Sequence, residues 1–481
     1  MGWRRDRRAI AFLQLLPERC FGLVAWEFGE GAAPRLLPAP RITSGFQTLR
    51  WHRERFEILC RAGGSLVGVR RDGHRIYATG ILPGSGFLWH PDGERVGCVS
   101  SLAPGAILEV GPAKRSFRLR RVVPRGKVGG WAWLDGKGGV AAAARANGGE
   151  WSGIWLLGSE GSADSAGPRF PGDGADAAAP AVCRGGRLAW EIHRHGASSV
   201  RLPDGRVLAD AAIVDEAMED IGSTLVLRRR PTDRPPELWR WTEEEGLGFL
   251  AARATRTPSA VPTPEHVWIG SPETERTPGW LWWPENPVGA VLEVHGGPRL
   301  AEGPGWHPAR DSLLRNGVAV LCLNYSGSSG YGSSREKRFD RDLAVGEVRR
   351  AARWLSDRLP AEGAKVVLSG HCFGAGLVLE AARPPPEGVG CPVVVASPKA
   401  KSLQRWVDAA KTRRALLKSA VFGAWDPFFP AGELDLAWAA LETVGEVRRI
   451  KIPAEGHCVR HPESLQAYNR ALLEALAIRP T

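Results

Sequence analysis

The sequence predicts two domains of different class. The first half reads as an all-β domain of propeller type. The second reads as an α/β domain whose mostly parallel sheet is flanked by helices. Three observations predict this. The 481 residues exceed what one ordinary hydrophobic core organises. In the first half a tryptophan recurs about every 40 residues among tight-turn signals. In the second, apolar strand-like runs alternate with helical patterns.

The first domain is assigned to residues 1–265. From about residue 20 onward it has no long amphipathic helix, only short apolar or aromatic runs broken by Gly and Pro. Asp-Gly pairs at 72–73, 92–93, 135–136 and 204–205 suit hairpin turns. Phe87 to Gly97 reads as strand, turn and strand, and Trp131-Ala132-Trp133-Leu134-Asp135-Gly136 opens a similar unit. Weaker echoes begin near Leu49, Arg187 and Glu237. Trp51, Trp89 and Trp133 lie 38 and 44 positions apart, which suits four-stranded propeller blades. An irregular β-sandwich is the alternative. The apolar stretch from Ala9 follows a basic start but lacks a small-residue cleavage site, so a strand or helix is expected there rather than a secretion signal. Gly158 to Ala179 is expected to be a surface loop, and Thr255 to Pro264 a linker.

The second domain is assigned to residues 266–481. Strands are expected at Gly279–Pro284, Val288–His295, Val318–Leu323, Pro392–Ala396, Ala415–Phe422 and Glu446–Ile452. A helix should end near Leu313–Asn316, and a single helix is expected from about Ser334 to Leu359. Two glycine-rich turns, His295-Gly296-Gly297-Pro298 and Tyr325 to Gly332, follow the second and third of these strands.

At the centre is Val366-Val367-Leu368-Ser369-Gly370-His371-Cys372-Phe373-Gly374. An apolar run enters it and an Ala- and Leu-rich run leaves, so it reads as strand, sharp turn and helix. Gly-x-Cys-x-Gly is the pattern of a nucleophile elbow with a thiol in place of a hydroxyl. Side chains at Gly370 and Gly374 would collide across such a turn. A cysteine at a helix N-terminus should have a lowered pKa. Asp426 and His457 each follow a later strand, giving the chain order nucleophile, acid, histidine of α/β-hydrolase triads. His457 would take the thiol proton and later protonate the leaving group, while Asp426 holds its ring. The N–H of Phe373 and one from His295-Gly296-Gly297 are the oxyanion candidates.

Together these motifs resemble the prolyl oligopeptidase family of serine peptidases. The resemblance rests on His295-Gly296-Gly297-Pro298, Tyr325 to Gly332, the elbow, Asp426-Pro427-Phe428-Phe429-Pro430 and Gly456-His457. With the propeller-like half it covers nearly the whole chain. It implies a hydrolase domain capped by a propeller that admits only small or unstructured peptides. It implies Cys372, Asp426 and His457 as triad, and Phe373 and Gly297, with Gly296 beside it, at the oxyanion hole. His295, Tyr325, Tyr331 and Trp425 are the substrate-contact candidates. Two departures stand out: cysteine replaces the family's serine, and Ser326 stands where the family has arginine after the tyrosine. The 54 positions from Cys372 to Asp426 are also few for the family.

The net charge of +12 comes without a nucleic-acid module, and no apolar run is long enough to span a membrane. Neither nucleic acid nor membrane is therefore an expected partner. Eight unpaired-looking cysteines suit a reducing, cytoplasmic setting. No cofactor is implied. A metal site from His371-Cys372 and His457-Cys458 is disfavoured, because an elbow points neighbouring side chains apart. The expected function is hydrolysis or transfer of an acyl group from a small peptide-like, ester or thioester substrate. The alternative is a catalytically lapsed member that binds without turnover.

Overall fold

The computed structural model describes residues 2–3, 9–15, 21–27, 33–40, 42, 49–52, 54–62, 65–79, 86–99, 106–110, 117–122, 127–134, 139–158, 168–172, 174–183, 187–210, 212–214, 225–252, 261–270, 276–360, 364–382, 391–399, 401–403, 417–423, 426, 432–442, 447–452 and 455–478. They form two compact units. One holds Met1–Arg194, Ser198–Arg229 and Glu237–Ala251; the other holds His195–Ala197, Arg230–Pro236 and Ala252–Thr481.

Among the described residues the first unit carries six small antiparallel sheets, five of four strands and one of three. The tryptophan repeat has a structural basis. Trp51, Trp89 and Trp133 each end the first strand of a sheet, just before its first turn. The Asp-Gly pairs at 72–73, 92–93 and 204–205 fall between adjacent strands, whereas 135–136 lies outside the described residues. The echoes at Arg187 and Glu237 differ from the first three. They start the second and third strands of their sheets, so there tryptophan marks a packing position and not a strand number. Ala9–Leu15 is a strand, as expected. The supposed loop ends early, because Asp176–Cys183 is a strand paired with Arg187–Arg194. Most of the expected linker lies outside the described residues.

The second unit is built on one eight-stranded sheet. Its strands in chain order are β1 (Glu265–Ile269), β2 (Thr277–Trp282), β3 (Gly289–Val294), β4 (Val318–Leu323), β5 (Val366–His371), β6 (Val393–Ala396), β7 (Leu417–Gly423) and β8 (Arg448–Ile452). The spatial order is β1-β2-β4-β3-β5-β6-β7-β8. The six strands from β4 to β8 are parallel, and β1 and β2 add an antiparallel edge. The described helices of five or more residues are α1 (Pro308–Arg315), α2 (Ser333–Lys337), α3 (Arg341–Ser356), α4 (Phe373–Ala381), α5 (Glu433–Glu442) and α6 (Pro462–Ala475).

Both faces of the sheet are covered, which is why its central strands read as unbroken apolar runs. Ala319, Leu321 and Leu323 of β4 pack with Ala290, Leu292 and Val294 of β3 beneath α3 and α4. Val318, Val320 and Cys322 turn the other way, toward α1 and α6. Each fully buried Leu or Val contributes roughly 1.5–3 kcal/mol of transfer free energy. The single helix expected from Ser334 is instead two. Asp340 caps α3, its carboxylate accepting from the Leu343 N–H at 2.8 Å, and the chain turns between Lys337 and Arg341. Capping at an Asp satisfies an amide that a continuous helix would have bonded internally.

Candidate active site

The elbow is built as its glycines require. Cys372 sits between β5 and α4 with φ 52° and ψ −112°, a sparsely populated conformation. A Cβ on Gly370 would lie 2.6 Å from the Gly374 carbonyl oxygen, across the turn. A Cβ on Gly374 would lie 2.1 Å from the Val294 oxygen and 2.5 Å from that of His295, so this glycine lets α4 press against the end of β3. The turn after β3 thereby meets the elbow. A Cβ on Gly296 would sit 3.0 Å from the Cys372 Cβ.

Asp426 follows β7 and His457 follows β8. The Asp426 Oδ2 accepts from His457 Nδ1 at 2.7 Å, and both residues are buried. With Nδ1 so engaged, Nε2 remains for the hydrogen bond that His457 makes with the Cys372 thiol. Close main-chain packing fixes the spacing. A Cβ on Gly423 would lie 1.9 Å from the Gly456 oxygen, so the strand before the acid and the loop before the base touch backbone to backbone.

The electrostatics favour a charged pair. Burial opposes ionisation of Cys372, but the bond to His457, the two histidine rings beside it and the Phe373 N–H outweigh that and hold the thiol below its ordinary value. Burial also opposes charge on His457, yet Asp426 and the Cys372 sulfur lift the ring to about 9. Both shifts favour the thiolate–imidazolium form of the pair. Alkylation of Cys372 by iodoacetamide should rise at lower pH than that of an ordinary free thiol. Peptide mapping after timed alkylation checks this. A profile that tracks free cysteine would contradict the charged pair.

The other expected site residues divide. Phe373 and Gly296 lie against Cys372. Gly297 adopts φ 58° in the adjoining turn. Tyr325 is fully buried, and its hydroxyl donates to the carbonyls of Gly297 at 3.1 Å and His295 at 3.2 Å. Burial, then the nearby Cys372 charge, pushes its pKa up, so it stays a donor. His295 is buried too and stacks on Tyr325 with ring centres 4.5 Å apart. Its Nδ1 donates to the Gly296 oxygen at 3.0 Å, which leaves Nε2 to accept from the Ser328 hydroxyl at 2.9 Å. Tyr325 and His295 therefore grip the carbonyls of the turn and shape it from behind. Tyr331 is placed elsewhere, stacked on His195 at 5.0 Å, with its hydroxyl accepting from Asn324 Nδ2 at 2.9 Å. Trp425 lies outside the described residues, as does Pro427 to Pro430.

Ser326, the departure after Tyr325, lies beside a charged pair formed by Arg335 of α2 and Glu347. The Ser326 N–H donates to the buried Glu347 at 2.6 Å, and Arg335 reaches Glu347 at 3.2 Å and the Asn324 carbonyl at 2.9 Å.

Three side chains support the His457 loop in roles the sequence did not signal. Ser397, at the end of β6, donates its hydroxyl to the His457 carbonyl at 2.9 Å. His371 reaches the same oxygen through Nε2 at 2.7 Å, which also removes that nitrogen from any metal site. The Glu455 carboxylate accepts from the N–H groups of Arg460 and His461, each at 2.9 Å, and closes the loop. Only a fold that brings β5, β6 and β8 to one edge reveals these contacts.

The sheet order, with a strained turn after β5, defines the α/β-hydrolase fold. The solved structures that match the chain over nearly its whole length include prolyl oligopeptidase-type peptidases, the family that the sequence motifs resemble. A puromycin-hydrolyzing peptidase of Mycobacterium tuberculosis superposes with a TM-score of 0.75 at 17% identity, covering 98% of this chain and 87% of that one. A prolyl endopeptidase structure gives 0.77 at 14% identity, covering 99% and 82%. Among curated proteins, dipeptidyl aminopeptidase BIII of Pseudoxanthomonas mexicana is 24% identical over 222 residues, 38% of this chain. That match spans about a third, 32%, of the relative's own length. No family profile matches the chain. Among the described residues no helix is long and apolar enough to cross a membrane.

Proposed function

We propose that this chain is a hydrolase of prolyl oligopeptidase type that works through a cysteine nucleophile. Its substrate is a small peptide-like, ester or thioester compound. The observation that carries the proposal is the hydrogen-bonded series Cys372, His457, Asp426, set on the loops after β5, β8 and β7. The Cys372 thiolate adds to the acyl carbon, and the carbonyl electron pair moves to oxygen. The N–H of Phe373 and those of Gly296 and Gly297 are read as the donors to that oxyanion. The His457 imidazolium then gives its proton to the departing nitrogen, oxygen or sulfur, leaving a thioester on Cys372. Water or an amine attacks the thioester, His457 takes the incoming proton, and the thiolate departs. Because a thiolate leaves readily, esters, thioesters and activated amides should react faster than plain peptides, and transfer to an amine accompanies hydrolysis.

The six sheets of the first unit are read as blades of a propeller over residues 1–265, with residues 266–481 as the catalytic domain. A reducing, cytoplasmic setting suits the six cysteines whose side chains are described, none of them in a disulfide.

The test is intact-mass analysis after incubation with a panel of activated acyl esters, with puromycin added because two neighbours hydrolyse it by name. A transient acyl adduct that disappears in Cys372→Ala is expected. An acyl-amine product on adding amine acceptors would establish transfer, and free acid alone would restrict the activity to hydrolysis. No adduct from the whole panel would leave a binding protein.

A further inference from the structure

We propose that His371 is a positioning residue for the catalytic base: from the elbow itself it holds the His457 loop in register with Cys372. The inference rests on the triad reading above and adds a residue to it.

The geometry is specific. A carbonyl oxygen only accepts, so the His371 nitrogen 2.7 Å from the His457 oxygen carries its proton on Nε2. Nδ1 is then a bare lone pair, and it lies 3.1 Å from where a Gly296 Cβ would stand. The two imidazoles meet edge to face with centres 4.9 Å apart. A residue that merely filled this space would need no donor. Here the donor points at the main chain of the one loop whose placement decides whether His457 reaches the sulfur.

The same oxygen accepts from the Ser397 hydroxyl at 2.9 Å. Two side chains from adjacent strand ends, β5 and β6, therefore converge on one carbonyl of the loop after β8. The groups facing the His371 ring are the His457 ring, the Cys372 sulfur and, farther off, Asp426. Burial, then the neighbouring His457 charge, lowers the pKa of His371, and its own charge effect on the thiol is smaller than that of His457. Its effect on Cys372 should run through His457.

The test combines two readouts on the full-length protein: the pH profile of Cys372 alkylation by iodoacetamide, and the rate of acylation by an activated ester. In His371→Ala the alkylation profile should move toward that of an ordinary thiol. Acylation should slow about tenfold to a hundredfold, the scale of a misplacement near 1 Å, with kcat falling and KM nearly unchanged. His371→Gln, which can present an amide N–H at the same place, should recover most of the loss. In a His457→Ala background, His371→Ala should add nothing.

An unmoved profile in His371→Ala overturns the proposal. So does an equal shift with and without His457, which would mean direct action on the thiol. If His371→Ala does not fold, Ser397→Ala replaces it, since it strips the second donor from the same oxygen. A shift in the same direction supports the proposal, and none overturns it. Should the wild-type protein form no acyl adduct, the proposed activity falls, while the alkylation arm still decides the role of His371.

Discussion

Asp426→Asn should slow acylation of Cys372 about a thousandfold to ten-thousandfold while leaving the protein folded. The buried carboxylate has two effects on His457. By accepting from Nδ1 it leaves Nε2 bare to take the thiol proton, and by its charge it stabilises the imidazolium that results. An asparagine of the same shape cannot supply the charge. If its NH2 faces the ring, Nδ1 must accept, the proton moves to Nε2, and the base faces the thiol the wrong way round. Without the counterion His457 no longer holds its proton up to about 9, so the thiol loses the cation that draws it down. Single-turnover acylation and the alkylation profile should therefore change together, with the thiolate appearing only at higher pH. A rate within threefold of wild type would mean that Asp426 is not the orienting acid.

Gly374→Ala should be among the most damaging methyl groups that can be added to the second unit. The new Cβ would stand 2.1 Å from one main-chain oxygen and 2.5 Å from the next, both at the end of β3. Main chain inside a sheet cannot swing aside, so α4 must back away. Overpacking typically costs about 1–3 kcal/mol, and a clash with main chain on this scale belongs at or above the top of that range. The displacement also separates Cys372 from His457, so the fast alkylation at low pH should vanish in any protein that still folds. Denaturant titration with alkylation of the native fraction measures both effects. Gly73→Ala is the matched control, because nothing lies within 4 Å of its added Cβ and stability should stay within about 0.5 kcal/mol of wild type. Equal stability of the two variants would refute the steric account.

The parts of this site legible in the sequence were those that backbone geometry forces. Val318–Leu323 and the start of Val366–His371 read as strands because both of their faces are buried and their residues are apolar. Gly370 and Gly374 marked the elbow because no other residue fits there. Asp426 and His457 could be placed in order because each comes just after a strand. What escaped reading depends on contacts between distant segments. The break at Arg338 to Asp340 hinges on one side chain choosing a cap. Tyr331 shares a motif with Tyr325, yet the chain turns between them and carries its ring to His195 and His266. His371 and Ser397 declare their partner only when three strand ends align.

The abutting main chain at Gly423 and Gly456 has a consequence for how the chemistry can change. Carbonyl against α-carbon leaves acid and base no slack, so their separation does not depend on which atom attacks. A one-atom exchange at position 372, oxygen for sulfur, would meet the same partners in the same places. The scaffold behaves as a fixed jig into which either tool fits, and the choice of element sets the leaving-group ability of the intermediate without any rebuilding around it.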